Sequence, residues 1–207
     1  MNKLVKDALV LTCITVIAGF ALGLVYEITK GPIAKAEQEA LKEAYQTVFT
    51  DAASFELMED FDTAEATAIV TDAGYTDDSI DNCALAYDAS GNPIGYVITV
   101  SSTAGYGGTI TFSLGITNDG VLNGYSITNI SETAGLGMKA KDTGEGSFSS
   151  QFVNRQAEIF TVTKTGASSS SEIDAISAAT VTSRAVTNGV NAAVTYFNTL
   201  VGGASNE

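Results

Sequence analysis

The sequence predicts an α+β protein with one N-terminal transmembrane helix, followed by one domain in which an antiparallel sheet is flanked by helices. Three observations carry this. Residues 8–26, ALVLTCITVIAGFALGLVY, contain no charge. From about Phe55 to Ile130, short apolar runs alternate with turn residues at hairpin spacing. The segments around 33–48 and 178–200 read as helices. A chain of 207 residues accommodates a membrane segment and one core, but not two large domains.

The charge-free run has nineteen residues, flanked by Lys3, Lys6 and Asp7 before it and by Glu27 and Lys30 after it. At helical rise it spans about 28 Å, close to the hydrocarbon thickness of a bilayer. It is longer than the apolar core of a secretion signal, and no small-x-small cleavage site follows it, so a retained anchor over residues 1–30 is expected. Gly19 and Gly23 form a GxxxG pair able to seat a second helix. Orientation does not follow from charge, because Lys3 and Lys6 are balanced by Lys30, Lys35 and Lys42.

Gly31-Pro32 then punctuates the chain, and Ile33, Ala36, Ala40, Leu41, Ala44 and Val48 recur at helical spacing. This predicts an amphipathic exit helix within residues 31–50, with Pro32 at its first position. The remaining domain, 51–207, is expected to contain strands at Cys83–Tyr87, Ile94–Ser101, Thr109–Ile116 and Val121–Ile130, separated by the turns Ser90–Pro93 and Asn118–Gly120. A short helix at Phe148–Asn154, a strand at Ile159–Lys164, a serine-rich loop and a final helix from Ala178 to Leu200 complete it. Asp72–Asp81 holds four aspartates without calcium-loop spacing and is expected to be an acidic loop.

The totals exclude several classes. A net charge of −14, with no basic residue between Lys42 and Lys139, argues against nucleic acid as a partner. The absence of histidine removes His-ligated haem and His-based triads, and two cysteines cannot form a zinc or iron–sulfur framework. Neither GxxxxGK[ST] nor a dinucleotide GxGxxG occurs. Redox or group-transfer chemistry must therefore come largely from a bound group.

Two stretches can hold one. DAISAATVTSRAV, Asp174 to Val186, places Ser177, Thr180, Thr182 and Ser183 at the start of the last helix. Ser177 is positioned to cap it, and the free amides of a first turn receive anions, phosphate above all. Ordinary capping explains one hydroxyl; four leave open that phosphate oxygens are held there or that one hydroxyl is esterified. ISETAGLGMK, Ile130 to Lys139, has Gly135 and Gly137, which allow close backbone approach to a flat ligand, with Thr133 as a donor and Leu136 to pack on a ring. Alone, it is equally a tight loop leaving the sheet. Gly105–Ile110, GYGGTI, reads as a hairpin connection.

Together these stretches resemble the FMN-binding subunits of membrane redox ion pumps: the G-type subunits of Rnf ferredoxin:NAD⁺ oxidoreductase complexes and the related C-type subunits of the sodium-pumping NADH:quinone reductases. The resemblance covers nearly the whole chain, through the N-terminal span, TKGPIAKAE at Thr29–Glu37, GYGGTI, ETAGLGMK at Glu132–Lys139 and DAISAATVTSRAV. The usual family forms are ETPGLG and SGATxTS, so Ala134 stands for Pro and Ala178 for Gly.

The resemblance implies FMN joined through its phosphate to Thr180, by a separate flavin transferase that uses FAD. It further implies cofactor contacts from Ser177, Ala179, Thr182 and Ser183, and from Glu132, Thr133, Gly135, Leu136, Gly137 and Lys139. The protein would relay electrons in the cell membrane, its domain on the outer face. It would work beside A-, D- and E-type membrane subunits and, within the complex, B- and C-type subunits, coupled to Na⁺ or H⁺ movement. The chain length favours the Rnf type over the usually longer quinone-reductase type. A membrane-anchored flavin sensor and a domain that has lost flavin through Ala178 are the alternatives. Ala178 is expected in the right-handed region, as the first helical residue; a positive φ there would hinder attachment.

Overall fold

The computed structural model describes residues 3–204, with the side chains of Gly203 and Ala204 left aside. The extreme ends of the expected anchor and domain, 1–2 and 205–207, lie outside the described residues. The chain divides into two compact units, residues 1–40 and 41–207.

The first unit consists of helix α1, Lys3–Val48, up to Ala40. Its 18-residue apolar window has a mean hydropathy of 2.5, and the helix is long and apolar enough to cross a membrane. The side chains over the charge-free run are exposed, among them Leu11, Ile17, Phe20 and Leu22. Thr12 and Thr15 give their hydroxyl protons to the carbonyls of Ala8 and Thr12, each at 2.9 Å, so neither presents an unsatisfied donor to an apolar surround. The expected break at Gly31-Pro32 is absent. Pro32 lies inside the helix, which is continuous where a separate exit helix was expected to start. A proline removes one hydrogen bond and crowds the preceding turn, but the helix formers Ala34, Lys35, Ala36 and Glu37 carry the helix onward.

The second unit is built on a six-stranded antiparallel meander. Its strands, in spatial and chain order, are β1 (Ser54–Leu57), β2 (Asp78–Tyr87), β3 (Pro93–Ser102), β4 (Ile110–Thr117), β5 (Val121–Asn129) and β6 (Val153–Gln156). The four central strands are those expected from the alternating runs. Helix α2, Thr63–Asp72, lies between β1 and β2, within a region read as strands and turns. Asp62 caps it by accepting from the amides of Ala64 and Glu65 at 2.7 and 3.1 Å. The acidic stretch 72–81 is therefore the end of α2, a turn and the start of β2. Two short parallel strands, β7 (Thr161–Thr163) and β8 (Glu172–Asp174), lead into helix α3, Thr180–Ala204.

The two faces of the sheet are covered differently. Ile80, Ile98, Val100, Phe112, Leu114 and Leu122 bury one face against α2 and α3, whose Ala185, Val186, Val190, Ala193 and Val194 are sealed from solvent. Gly189 of α3 lies so close to this face that a Cβ there would stand 2.8 Å from the Phe112 ring. On the other face, Tyr45, Val48 and Phe49 cover Ala84, Ala86 and Val97. The same face carries a run of cross-strand hydroxyl pairs, Thr99 with Ser113 at 3.0 Å and Ser101 with Thr111 at 2.8 Å. Asn191 clamps the chain before β7 onto α3: its Oδ1 accepts from Phe160 N at 2.8 Å, and its Nδ2 donates to Phe160 O at 2.9 Å. Both cysteines are free, and burial pushes the Cys83 thiol up to about 12.

Candidate functional site

The sheet and α3 bring together three loops far apart in sequence. They are the β3–β4 connection, the segment after β5 and the turn entering α3. Between them lies an open cleft of about 600 Å³ lined by Tyr106, Glu132, Thr133, Leu136, Gly137, Ala178, Ala179, Thr180, Val181 and Thr182. That volume is within the range that small molecules and cofactors occupy.

Glu132 fastens the three loops. It is buried, and its Oε1 accepts from the Gly107 amide at 3.1 Å while its Oε2 accepts from the Thr182 hydroxyl at 3.0 Å. Gly137 closes against the same pair, since a Cβ there would stand 2.6 Å from Thr182 Oγ1 and 2.7 Å from Glu132 Oε2. The loop's own turn is set by the Thr133 carbonyl, which accepts from the amides of Leu136 and Met138 at 3.1 and 3.2 Å. Beneath the short 3₁₀ helix Gly137–Lys141, the Tyr125 hydroxyl donates to the Ala140 carbonyl at 2.6 Å. Burial raises that phenol well above its ordinary pKa, so it stays a proton donor.

The turn before α3 is held from inside. Ser183 Oγ accepts from the Ile176 amide at 2.9 Å and donates to the Ala179 carbonyl at 2.9 Å, and the Ala179 amide bonds the Ile176 carbonyl at 2.9 Å. This turn needs a left-handed residue, and Ala178 supplies it with φ 61°. The expectation of a right-handed Ala178 starting the helix is thus corrected: the helix begins at Thr180, because the chain must reverse between Ile176 and Ala179 before it can coil. This is the case in which alanine was expected to hinder attachment of a flavin; the turn nevertheless forms with alanine in the left-handed region and leaves Thr180 lining the open cleft. Ser177 does not cap the helix; it is exposed and lines a neighbouring polar cleft together with Lys139. The first-turn amides of Thr180, Val181 and Thr182 have no intrahelical acceptor, since the first such bond into the turn is Ser183 N to Ala179 O at 3.0 Å. The Thr180 hydroxyl, half-buried in the cleft, has no hydrogen-bond partner among the described residues.

Of the residues singled out in the sequence, the cleft gathers Glu132, Thr133, Leu136, Gly137, Ala179, Thr180 and Thr182. Gly135, with φ 75°, is exposed in the loop and does not line the cleft, and Ser183 is fully buried with its hydroxyl consumed by the turn. Three further residues line the cleft. Tyr106 is 75% exposed and Val181 50% exposed, and with Leu136 at 39% they give the mouth an apolar rim; Ala178 is the third addition. The sequence signal for Tyr106 is its place in GYGGTI, which reads only as a hairpin connection. Chemically, the cleft offers positive helix-start amides, the hydroxyls of Thr133 and Thr180, unpartnered among the described residues and of which Thr180 stands at the helix start, and an apolar rim, which suits a flat ligand carrying an anionic group. Among the described residues no cluster of metal-binding side chains occurs.

Comparison with known proteins agrees with this chemistry. Residues 105–195, which contain the whole cleft, match the FMN-binding domain family. The fold is that of the crystal structure of Shewanella oneidensis NqrC, with a TM-score of 0.58, 84% of this chain and 100% of that chain covered, at 16% identity. The G-type subunit of the Na⁺-translocating ferredoxin:NAD⁺ oxidoreductase complex of Acetobacterium woodii is 33% identical over 94% of this chain and 92% of its own. The G-type subunit of the ion-translocating oxidoreductase complex of Methanosarcina acetivorans is 31% identical over 95% and 96%. The chain therefore belongs to the family of G-type subunits of ion-translocating ferredoxin:NAD⁺ oxidoreductase complexes.

Proposed function

We propose that this protein is the electron-relay member of such a complex, carrying FMN covalently through a phosphoester to Thr180. The observation that carries the proposal is the unpartnered Thr180 hydroxyl at the open start of α3, in one cleft with the Glu132–Gly137 loop. The residues present fit the group. The amides of Thr180, Val181 and Thr182 suit the phosphodiester charge, and Gly137 has no side chain to push apart the Glu132–Thr182 pair that joins the loops. Tyr106, Leu136 and Val181 offer apolar surface to a flat ring. When bound, FMN supplies one- and two-electron transfer.

The chain's own part is positional. Thr180 anchors the group and keeps it from being lost, the first-turn amides offset the phosphate charge, and the Glu132 lock holds the loops around it. The other site residues inferred from the family, Ser177, Gly135, Lys139 and Ser183, would act from behind the cleft or beside it. Attachment by a flavin transferase would form the Thr180 Oγ–P bond as the pyrophosphate bond of FAD breaks and AMP leaves. The domain would stand on the outer face of the cell membrane, anchored by a single span within α1. It would exchange electrons with A-, D- and E-type membrane subunits, in a complex completed by B- and C-type subunits, with Na⁺ or H⁺ movement coupled to electron flow. The identities of the relatives support this over the quinone-reductase alternative.

Intact-mass spectrometry of the full chain made beside a flavin transferase, with fragmentation across residues 174–186, tests the attachment. FMN-phosphoryl mass is expected on Thr180 and absent from Thr180→Val. An unmodified Thr180 in protein from its native host overturns it.

A further inference from the structure

Glu132 puts a carboxylate beside the helix start at which the proposed phosphate is held. The Thr182 hydroxyl has a single proton, and it is directed to Glu132 Oε2 at 3.0 Å. With that proton committed to Glu132, Thr182 shows the cleft only lone pairs and cannot donate to a phosphate oxygen. The Gly107 amide is likewise spent on Oε1 at 3.1 Å. Among the described residues, the ion pairs lie on α1 and none neutralises Glu132. The carboxylate thus fixes the cleft's shape while opposing, electrostatically, the anion that the first-turn amides attract.

Resting on the reading of this cleft as a flavin phosphate site, we infer that Glu132 is a positioning residue that discriminates against unattached FMN. The cleft holds its phosphate through the bond to Thr180 and not through affinity, so an unmodified chain does not fill with free flavin phosphate. Thr182 serves this lock and is not a phosphate donor.

The test uses full-length chain in detergent, produced without a flavin transferase so that Thr180 is unmodified, titrated with FMN and with riboflavin, which lacks the phosphate. Glu132→Gln keeps an oxygen for the Gly107 amide, offers N–H to Thr182 and removes the charge. It is expected to raise the ratio of FMN affinity to riboflavin affinity about tenfold, with riboflavin affinity unchanged. Thr182→Val is expected to leave the ratio unchanged. A merely structural role for Glu132 would weaken both flavins together, and that result, or an unchanged ratio, overturns the inference. A fall in the ratio in Thr182→Val overturns it independently, even where Glu132→Gln does not fold. If neither flavin binds any variant, and Thr180 stays unmodified in cells that contain a transferase, the flavin reading itself fails. An altered ratio is impossible in that case, so the two failures are distinguishable.

Discussion

Replacing Ala178 by glycine should stabilise the protein, although alanine is the better residue almost everywhere else. Ala178 has φ 61°, and a left-handed conformation costs a non-glycine residue about 1–2 kcal/mol. Glycine removes that cost but adds freedom to the unfolded chain worth about 0.5–1 kcal/mol. The difference leaves about 0.5–1 kcal/mol in favour of glycine. In a domain of this size about 1 kcal/mol moves the melting temperature by about 2–4 °C, so Ala178→Gly should melt about 1–4 °C higher. Ala178→Val, which puts a branched side chain on the same backbone, should melt several degrees lower. Differential scanning calorimetry of the full chain in detergent, with Thr180 unmodified, measures both. A right-handed residue inside the helix would give the opposite sign, with glycine losing up to about 1 kcal/mol. A glycine variant that melts below the parent therefore refutes the left-handed turn on which the placement of Thr180 depends.

Gly137→Ala forces a Cβ to within 2.6 Å of Thr182 Oγ1; overpacking of this kind costs about 1–3 kcal/mol, and flavin mass on Thr180 should drop in the same preparations. Ser183→Ala leaves the Ile176 amide, which it now receives at 2.9 Å, without a partner, and should lose about 1–3 kcal/mol in urea unfolding. Asp78 is buried, and burial, opposed by the Ser102 hydroxyl and aided by Asp77, raises its carboxyl from 3.8 to about 6. The folded chain then keeps a proton that the unfolded chain has released, so stability falls as pH rises from about 4 to about 6 and stays lower above that. Asp78→Asn should match the parent near pH 4 and gain up to about 3 kcal/mol above pH 6, as read by urea unfolding against pH; an equal gain at both ends contradicts a titrating Asp78.

The central strands were legible because both of their faces are covered, so each leaves a short apolar run bounded by turn residues, as Val97, Ile98 and Val100 do in β3 and Ile110, Phe112, Leu114 and Ile116 do in β4. Helix α2 was not, because its apolar residues are small or sparse and only Ala66 and Val70 are buried. Its start is marked by Asp62 and Glu65, a capping pattern hidden among neighbouring acids. At the site, the two hydroxyl- and glycine-rich motifs announced the loops. Which hydroxyl faces the cleft could not be read from spacing, because the turn that decides it depends on one backbone angle, at Ala178, and on Ser183 reaching back to Ile176. Tyr106 was equally illegible: its role comes from the sheet bringing the β3–β4 connection alongside α3, a contact between residues more than seventy positions apart.

The cleft's assembly from three distant loops also sets an order of events during biogenesis. A nascent chain emerging with residues 105–137 but without 178–182 has half a cleft, and one with every residue but no β3–β4–β5 meander has none. A modifying enzyme that needs the assembled cleft can act only on a chain that has already folded. The mass added at Thr180 then becomes a tally of correctly folded molecules, and a misfolded copy would arrive at its complex visibly colourless.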